Sequence, residues 1–205
     1  MVGVETLDKV NLENRFAELY GRMLDNSDRK TRDYLWATYD HRMKAHDNIR
    51  CLLKMKRESK ETEVGDSLIY ASCFVLAFEG SYVRTIDSIV FLLILAGHDL
   101  LDPLTAKYAH SPDEIGKIHI SVKFKFLKEH KFETLVREED SQIRNKIAHH
   151  DFEICGGNEI SIRSKKYCMK TRLEDLLGFV RDITQPFVAA LKKESDLRGI
   201  KPTKG

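Results

Sequence analysis

Residues 67–98, SLIYASCFVLAFEGSYVRTIDSIVFLLILAGH, decide the fold. Leu68, Ala71, Val75, Phe78, Tyr82, Ile86, Ile89 and Leu93 recur at helical spacing, and many of the residues between them are apolar too. A helix that is apolar nearly all round belongs in a protein interior, so this stretch is expected to be the long buried central helix of a bundle. Its longest apolar run, Ile89 to Gly97, is far short of the roughly 20 residues a membrane-spanning helix needs. Gly97, Asp99 and Pro103 are the expected stop.

Weaker helical stripes flank it. Upstream, Leu12, Phe16, Leu19 and Met23 form one, ended and restarted by Asn26-Ser27-Asp28. Leu35, Tyr39, Met43, Ile49 and Leu53 form a second, half-solvated one that fades between Lys54 and Glu63, and Gly65-Asp66-Ser67 begins the central helix. Downstream, Ser111-Pro112-Asp113-Glu114 combines a capping hydroxyl, a first-turn proline and acids at the positive helix end. The stripe Ile115, Ile118, Val122 and Phe126 follows, and helix resumes or continues from about residue 132 to Ala148. Phe152–Cys155 and Glu159–Ile162 read as two strands joined by Gly156-Gly157-Asn158, a hairpin over 152–164. Leu173, Leu176, Leu177, Val180, Ile183, Phe187 and Leu191 mark a closing amphipathic helix, with Pro186 expected to kink or restart it.

The expected architecture is therefore all-α: a helical bundle with a small β-hairpin inserted before the last helix. Residues 1–65 read as an N-terminal helical extension, 66–198 as the main helical domain and 199–205 as a flexible tail. With 34 basic and 32 acidic residues, gross charge does not announce a nucleic-acid binder, so any such contact needs a local patch. Cys51, Cys73, Cys155 and Cys168 lack the spacing of a zinc site or a disulfide framework. No secretion signal is evident, and a soluble cytoplasmic protein with no membrane partner is expected.

One stretch carries chemistry: Arg144-Asn145-Lys146-Ile147-Ala148-His149, followed by His150-Asp151-Phe152. A guanidinium neutralises charge on a phosphoryl group, and an imidazole moves protons near neutral pH. Together they suffice to cleave RNA through its own 2′-hydroxyl without metal or other cofactor. On a regular helix five residues turn through roughly 140°, so Arg144 and His149 do not share a face. Asn145 and His149 do, at i and i+4. One copy offers one base and one cation on a convex surface; two copies about a two-fold axis offer two of each around a cleft, as this reaction requires.

The pattern Arg144-Asn145-x-x-Ala148-His149 resembles the Rx4–6H motif of the HEPN superfamily in its RNxxAH form. The resemblance implies a small helical bundle with the motif near a helix end. It also implies a metal-independent endoribonuclease acting as a homodimer, in a toxin or antiviral defence setting, with a protein antitoxin or regulatory partner left unidentified. Arg144 and His149 would be the catalytic pair and Asn145 a supporting residue. Many such toxins paired with a nucleotidyltransferase antitoxin carry a tyrosine two positions after the histidine. This chain has Asp151 there, which sets it apart from that mode of regulation. HEPN-like bundles also serve as non-catalytic binding or dimerisation modules, and this is the alternative reading.

Other polar residues are secondary candidates. Glu79, Arg84 and Asp87 interrupt the apolar central helix. Buried charges need partners, which Arg84 and Asp87 could give each other, or Glu79 or Asp87 could reach Arg144. The run Lys123-Phe124-Lys125-Phe126-Leu127-Lys128 interleaves cations with rings, a pattern suited to single-stranded RNA. Lys146, Lys165 and Lys166, with Arg163 and Lys170 nearby, are further RNA-binding candidates. Three His-Asp doublets, His46-Asp47, His98-Asp99 and His150-Asp151, raise a third reading, an HD-type metal phosphohydrolase.

Overall fold

The computed structural model describes residues 8–26, 29–58, 63–163 and 165–199. The apolar stretch lies on one helical path in three parts: α3 (Glu63–Ala77), a π-helical segment (Phe78–Val83) and α4 (Arg84–Leu95). Every residue from Thr85 to Leu93 is buried. The path starts two residues before the expected Gly65. The π segment was not expected: it widens the helix by one residue per turn, a rare geometry that recurs at functional sites.

Before it lie α1 (Lys9–Asn26) and α2 (Arg29–Glu58). After it come a small hairpin, β1 (Leu100–Asp102) with β2 (Lys107–Ala109), then α5 (Pro112–Lys117), α6 (Ile120–Glu129), a 3-10 turn (Glu133–Leu135) and α7 (Glu138–Ala148). Strands β3 (Glu153–Gly156), β4 (Glu159–Ile162) and β5 (Lys165–Cys168) form an antiparallel sheet in that order, and α8 (Met169–Leu197) closes the chain. The fold is all-α in the main, with its small sheet before the last helix, as the hydrophobic pattern requires. No helix among the described residues is long and apolar enough to cross a membrane.

Several local expectations are met and others corrected. Ser111 caps α5 with a capping box: its hydroxyl accepts from the Glu114 N–H, and the Glu114 carboxylate accepts from the Ser111 N–H at 3.0 Å. The stripe from Ile115 to Phe126 is broken at Ile118, whose backbone is extended, and His119 caps α6 anew. The break rephases the helix, so Val122 is only half-buried while Lys123 and Phe124 turn inward. The hairpin gains a third strand, β5, in register Ile160↔Tyr167 with β4. In α2, Met43 is exposed and Ala45 is buried instead. Pro186 neither ends nor restarts α8, which runs on past the hydrogen bond the proline removes. Ser27, Asp28, residues 59–62 and the tail beyond Gly199 lie outside the described residues.

The chain forms two compact units, each made of segments distant in sequence. One comprises the described residues of Met1–Tyr39, Thr85–Val136 and Arg181–Gly205. Its core holds Phe16 stacked on Phe132 and edge-on to Phe187, with Tyr34 edge-on to Phe91. The other comprises Asp40–Arg84 and Arg137–Val180. There Phe74, Phe78 and Tyr82 form an aromatic ladder along the central path, which Phe179 of α8 extends. The Ser67 hydroxyl donates to the Gly157 carbonyl at 2.7 Å, tying the start of α3 to the turn of the sheet. Gly80 lies so close to α2 that an added Cβ would sit 2.6 Å from Ala45 Cβ, which explains glycine in the π segment.

Candidate active site

The RNxxAH residues form the second half of α7, within the second unit. The helix begins with Glu138, Glu139 and Asp140, acids that favour its positive end. Asp140 has no exposed surface and is ion-paired to Arg137 and to Arg172 of α8. Arg137 also pairs with Asp175, lies 4.6 Å over the Phe179 ring, and donates its backbone N–H to the Tyr82 hydroxyl at 3.0 Å. Burial pushes the Tyr82 phenol above its ordinary range, so it stays neutral. The start of α7 is thus anchored to α8 and to the π segment.

The other end is a Schellman cap. Asp151 N–H donates to the Lys146 carbonyl at 2.8 Å and His150 N–H to the Ile147 carbonyl at 3.1 Å, with His150 at φ 55°. His149 is the C-cap residue, and its side chain is exposed. The helix therefore ends between the two motif residues, with the imidazole at the rim and the guanidinium one turn inside.

Ile143 and Ile147 face the core. At about 100° per residue, Asn145 and His149 point away from that buried side, while Arg144 and Lys146 lie on opposite flanks of Asn145. Arg144 is half-buried; it donates to the Asn145 side-chain oxygen at 2.9 Å and is ion-paired with Glu79. Glu79 sits in the π segment, so this local widening positions the carboxylate that meets the motif arginine. Lys146 is ion-paired with Asp151 across the cap, and this holds the Asp151 carboxyl below its ordinary value.

Among the residues expected from sequence, Glu79, Arg144, Asn145, Lys146 and His149 belong to this helix end and its contacts. Lys165 and Lys166 lie on β5 of the same unit, both exposed. Asp87 accepts from the Lys123 ammonium at 2.6 Å in the other unit, with side-chain exposures of 3% and 2%. The same pair corrects Lys123, which is buried by the rephasing of α6 and offers no surface to RNA. Lys125 and Lys128 remain exposed on α6, Lys125 beside Glu129 at 3.9 Å. Among the described residues no three His, Cys, Asp or Glu side chains converge as a metal-binding group, so the His-Asp doublets assemble no ligand set there. His98 instead lies against His130, ring centroids 4.2 Å apart.

Sequence reasoning missed Asp140, Arg172 and the pairing role of Asp151. Asp140 reads only as a dipole partner, as acids in a first turn do, and Arg172 carries no local signal. Asp151 was legible only as a departure from a tyrosine. Comparison with family models, with curated proteins and with solved structures found no match.

Proposed function

We propose that the chain is a HEPN-type, metal-independent endoribonuclease that works as a homodimer. The observation that carries this reading is the placement of the RNxxAH residues at a capped helix end. His149 is exposed there, Asn145 shares its face, and Arg144 is held on the flank by a carboxylate from another helix. In the reaction, one imidazole removes the 2′-hydroxyl proton and the oxygen attacks the adjacent phosphorus. The 5′-oxygen leaves with a proton from the imidazole of a second subunit, while arginine offsets the charge on the phosphorane. The products are a 2′,3′-cyclic phosphate and a 5′-hydroxyl.

A single copy supplies one imidazole, so a two-fold pairing of these helix ends completes the acid–base set. Lys146, Lys165 and Lys166, which belong to the same unit as the motif, meet the RNA backbone in this reading. A toxin or defence setting in the cytoplasm fits such an activity. The test is incubation of the purified protein with total RNA, with and without EDTA. Cleavage unaffected by EDTA is expected; cleavage lost to EDTA and restored by a divalent metal would favour the HD-type reading.

A further inference from the structure

Both cations of the motif are already occupied in the free chain. Asn145 and His149 form the outward face of α7, with Arg144 about 100° to one side of Asn145 and Lys146 about 100° to the other. Measured from His149, Arg144 lies about 140° to one side and Lys146 about 60° to the other, so an RNA strand crossing the imidazole reaches the two cations through different phosphates. Glu79 holds the first and Asp151 the second. The two carboxylates come from unrelated places: Glu79 from the π segment, and Asp151 from the residue whose backbone N–H closes the helix cap. Their attachment differs, yet each does the same thing to the motif.

Resting on the ribonuclease reading, we propose that Glu79 and Asp151 are built-in competitors for the RNA backbone, which must displace both to reach Arg144 and Lys146. The pairs are partly solvated, with side-chain exposures of 29% and 42% for Arg144 and Glu79, and 27% and 59% for Lys146 and Asp151. Ion pairs this open are weak enough to exchange partners. The cap keeps Asp151 close to Lys146, so the carboxylate swings aside without leaving the site. A single small anion gains little by displacing one carboxylate. A polyanion that engages one flank makes its second contact intramolecularly, so the arrangement favours RNA over free phosphate.

The experiment measures binding of a short single-stranded 2′-O-methyl oligonucleotide, which lacks the attacking hydroxyl, by fluorescence anisotropy across a salt series. Asp151→Asn, Glu79→Gln and the double variant are compared with wild type and with Glu174→Gln, an exposed carboxylate on α8 that serves as a control for general charge. Each single variant is expected to bind about two- to fivefold tighter, the size of a released surface ion pair. The logarithmic slope of the salt dependence should stay that of wild type, because the bound states share the same phosphate contacts. Thermal melts check folding; if Glu79→Gln melts early, Asp151→Asn carries the test alone. Affinity equal to wild type, or an equal gain in Glu174→Gln, overturns the proposal while leaving the ribonuclease reading intact. Absence of binding by wild type and all variants overturns both.

Discussion

Replacing Asp140 with alanine tests how the motif helix is held. Its carboxylate is fully buried and ion-paired to both Arg137 and Arg172. Removing one partner of a buried pair costs about 3–5 kcal/mol, because the remaining charge stays behind unpaired. Here the guanidiniums retain some compensation. Arg137 keeps Asp175, Arg172 keeps Glu139 at 3.6 Å, and their side chains are 14% and 23% exposed. The expected loss is therefore reduced to about 2–4 kcal/mol. At roughly 2–4 °C per kcal/mol for a chain of this size, the melting midpoint should fall by roughly 4–16 °C. Urea denaturation followed by far-UV circular dichroism gives the energy directly. A double-mutant cycle with Arg172→Met should return a coupling of at least about 1 kcal/mol. A loss below about 1 kcal/mol, or strict additivity in the cycle, would refute the claim that this pair anchors the start of α7.

Three further outcomes follow from the same physics. Lys123→Ala removes the buried ammonium that donates to Asp87 at 2.6 Å and should lower stability by about 2–4 kcal/mol in urea denaturation; a near-neutral result would mean that Lys123 faces water. Gly80→Ala drives a methyl to 2.6 Å from Ala45. Overpacking of about 1–3 kcal/mol outweighs the roughly 1 kcal/mol gained in helix propensity, so melts should show a net loss that Ala45→Gly relieves. Burial and the neighbouring His98 hold the His130 imidazole below its ordinary value. The unfolded chain then binds that proton more readily. Its contribution to stability is complete above about pH 6.5 and is lost as pH falls through the folded-state value. Wild type should lose more stability than His130→Gln on acidification, as read by melts across that range; parallel curves would contradict it.

Much of the fold was legible because single-helix periodicity is a strong local signal. The buried central stretch, the Ser111 capping box and the glycine turn at Gly156-Gly157 each declare themselves within a few residues. What was not legible depends on phase or on distant partners. Phe74, Phe78 and Tyr82 keep the i+4 spacing of a plain α-helix, so the π segment through Phe78 leaves no mark in the pattern. The break at Ile118 shifts the register of α6 and sends Lys123 inward, although the lysine–aromatic alternation reads as a wet face. Strand β5, Lys165-Lys166-Tyr167-Cys168, carries the lysines that protect sheet edges and so resembles a charged loop. Met43 and Ala45 exchange places because close approach to Gly80 demands a small residue, a tertiary requirement. At the candidate site, Arg144, Asn145 and His149 stand out in the sequence by residue type, spacing and resemblance to the RNxxAH motif, and Glu79 as one of three charged residues in an apolar helix. Asp140 and Asp151 do not, since only the folded chain shows what each carboxylate meets.

End-group analysis of RNA treated with wild-type protein and with His149→Ala decides whether the RNxxAH helix end is catalytic. Wild type should leave 2′,3′-cyclic phosphate and 5′-hydroxyl ends, and the variant, folded to the same melting midpoint, should leave none. Equal cleavage by the variant, or 5′-phosphate products from wild type, would contradict catalysis by the RNxxAH helix end.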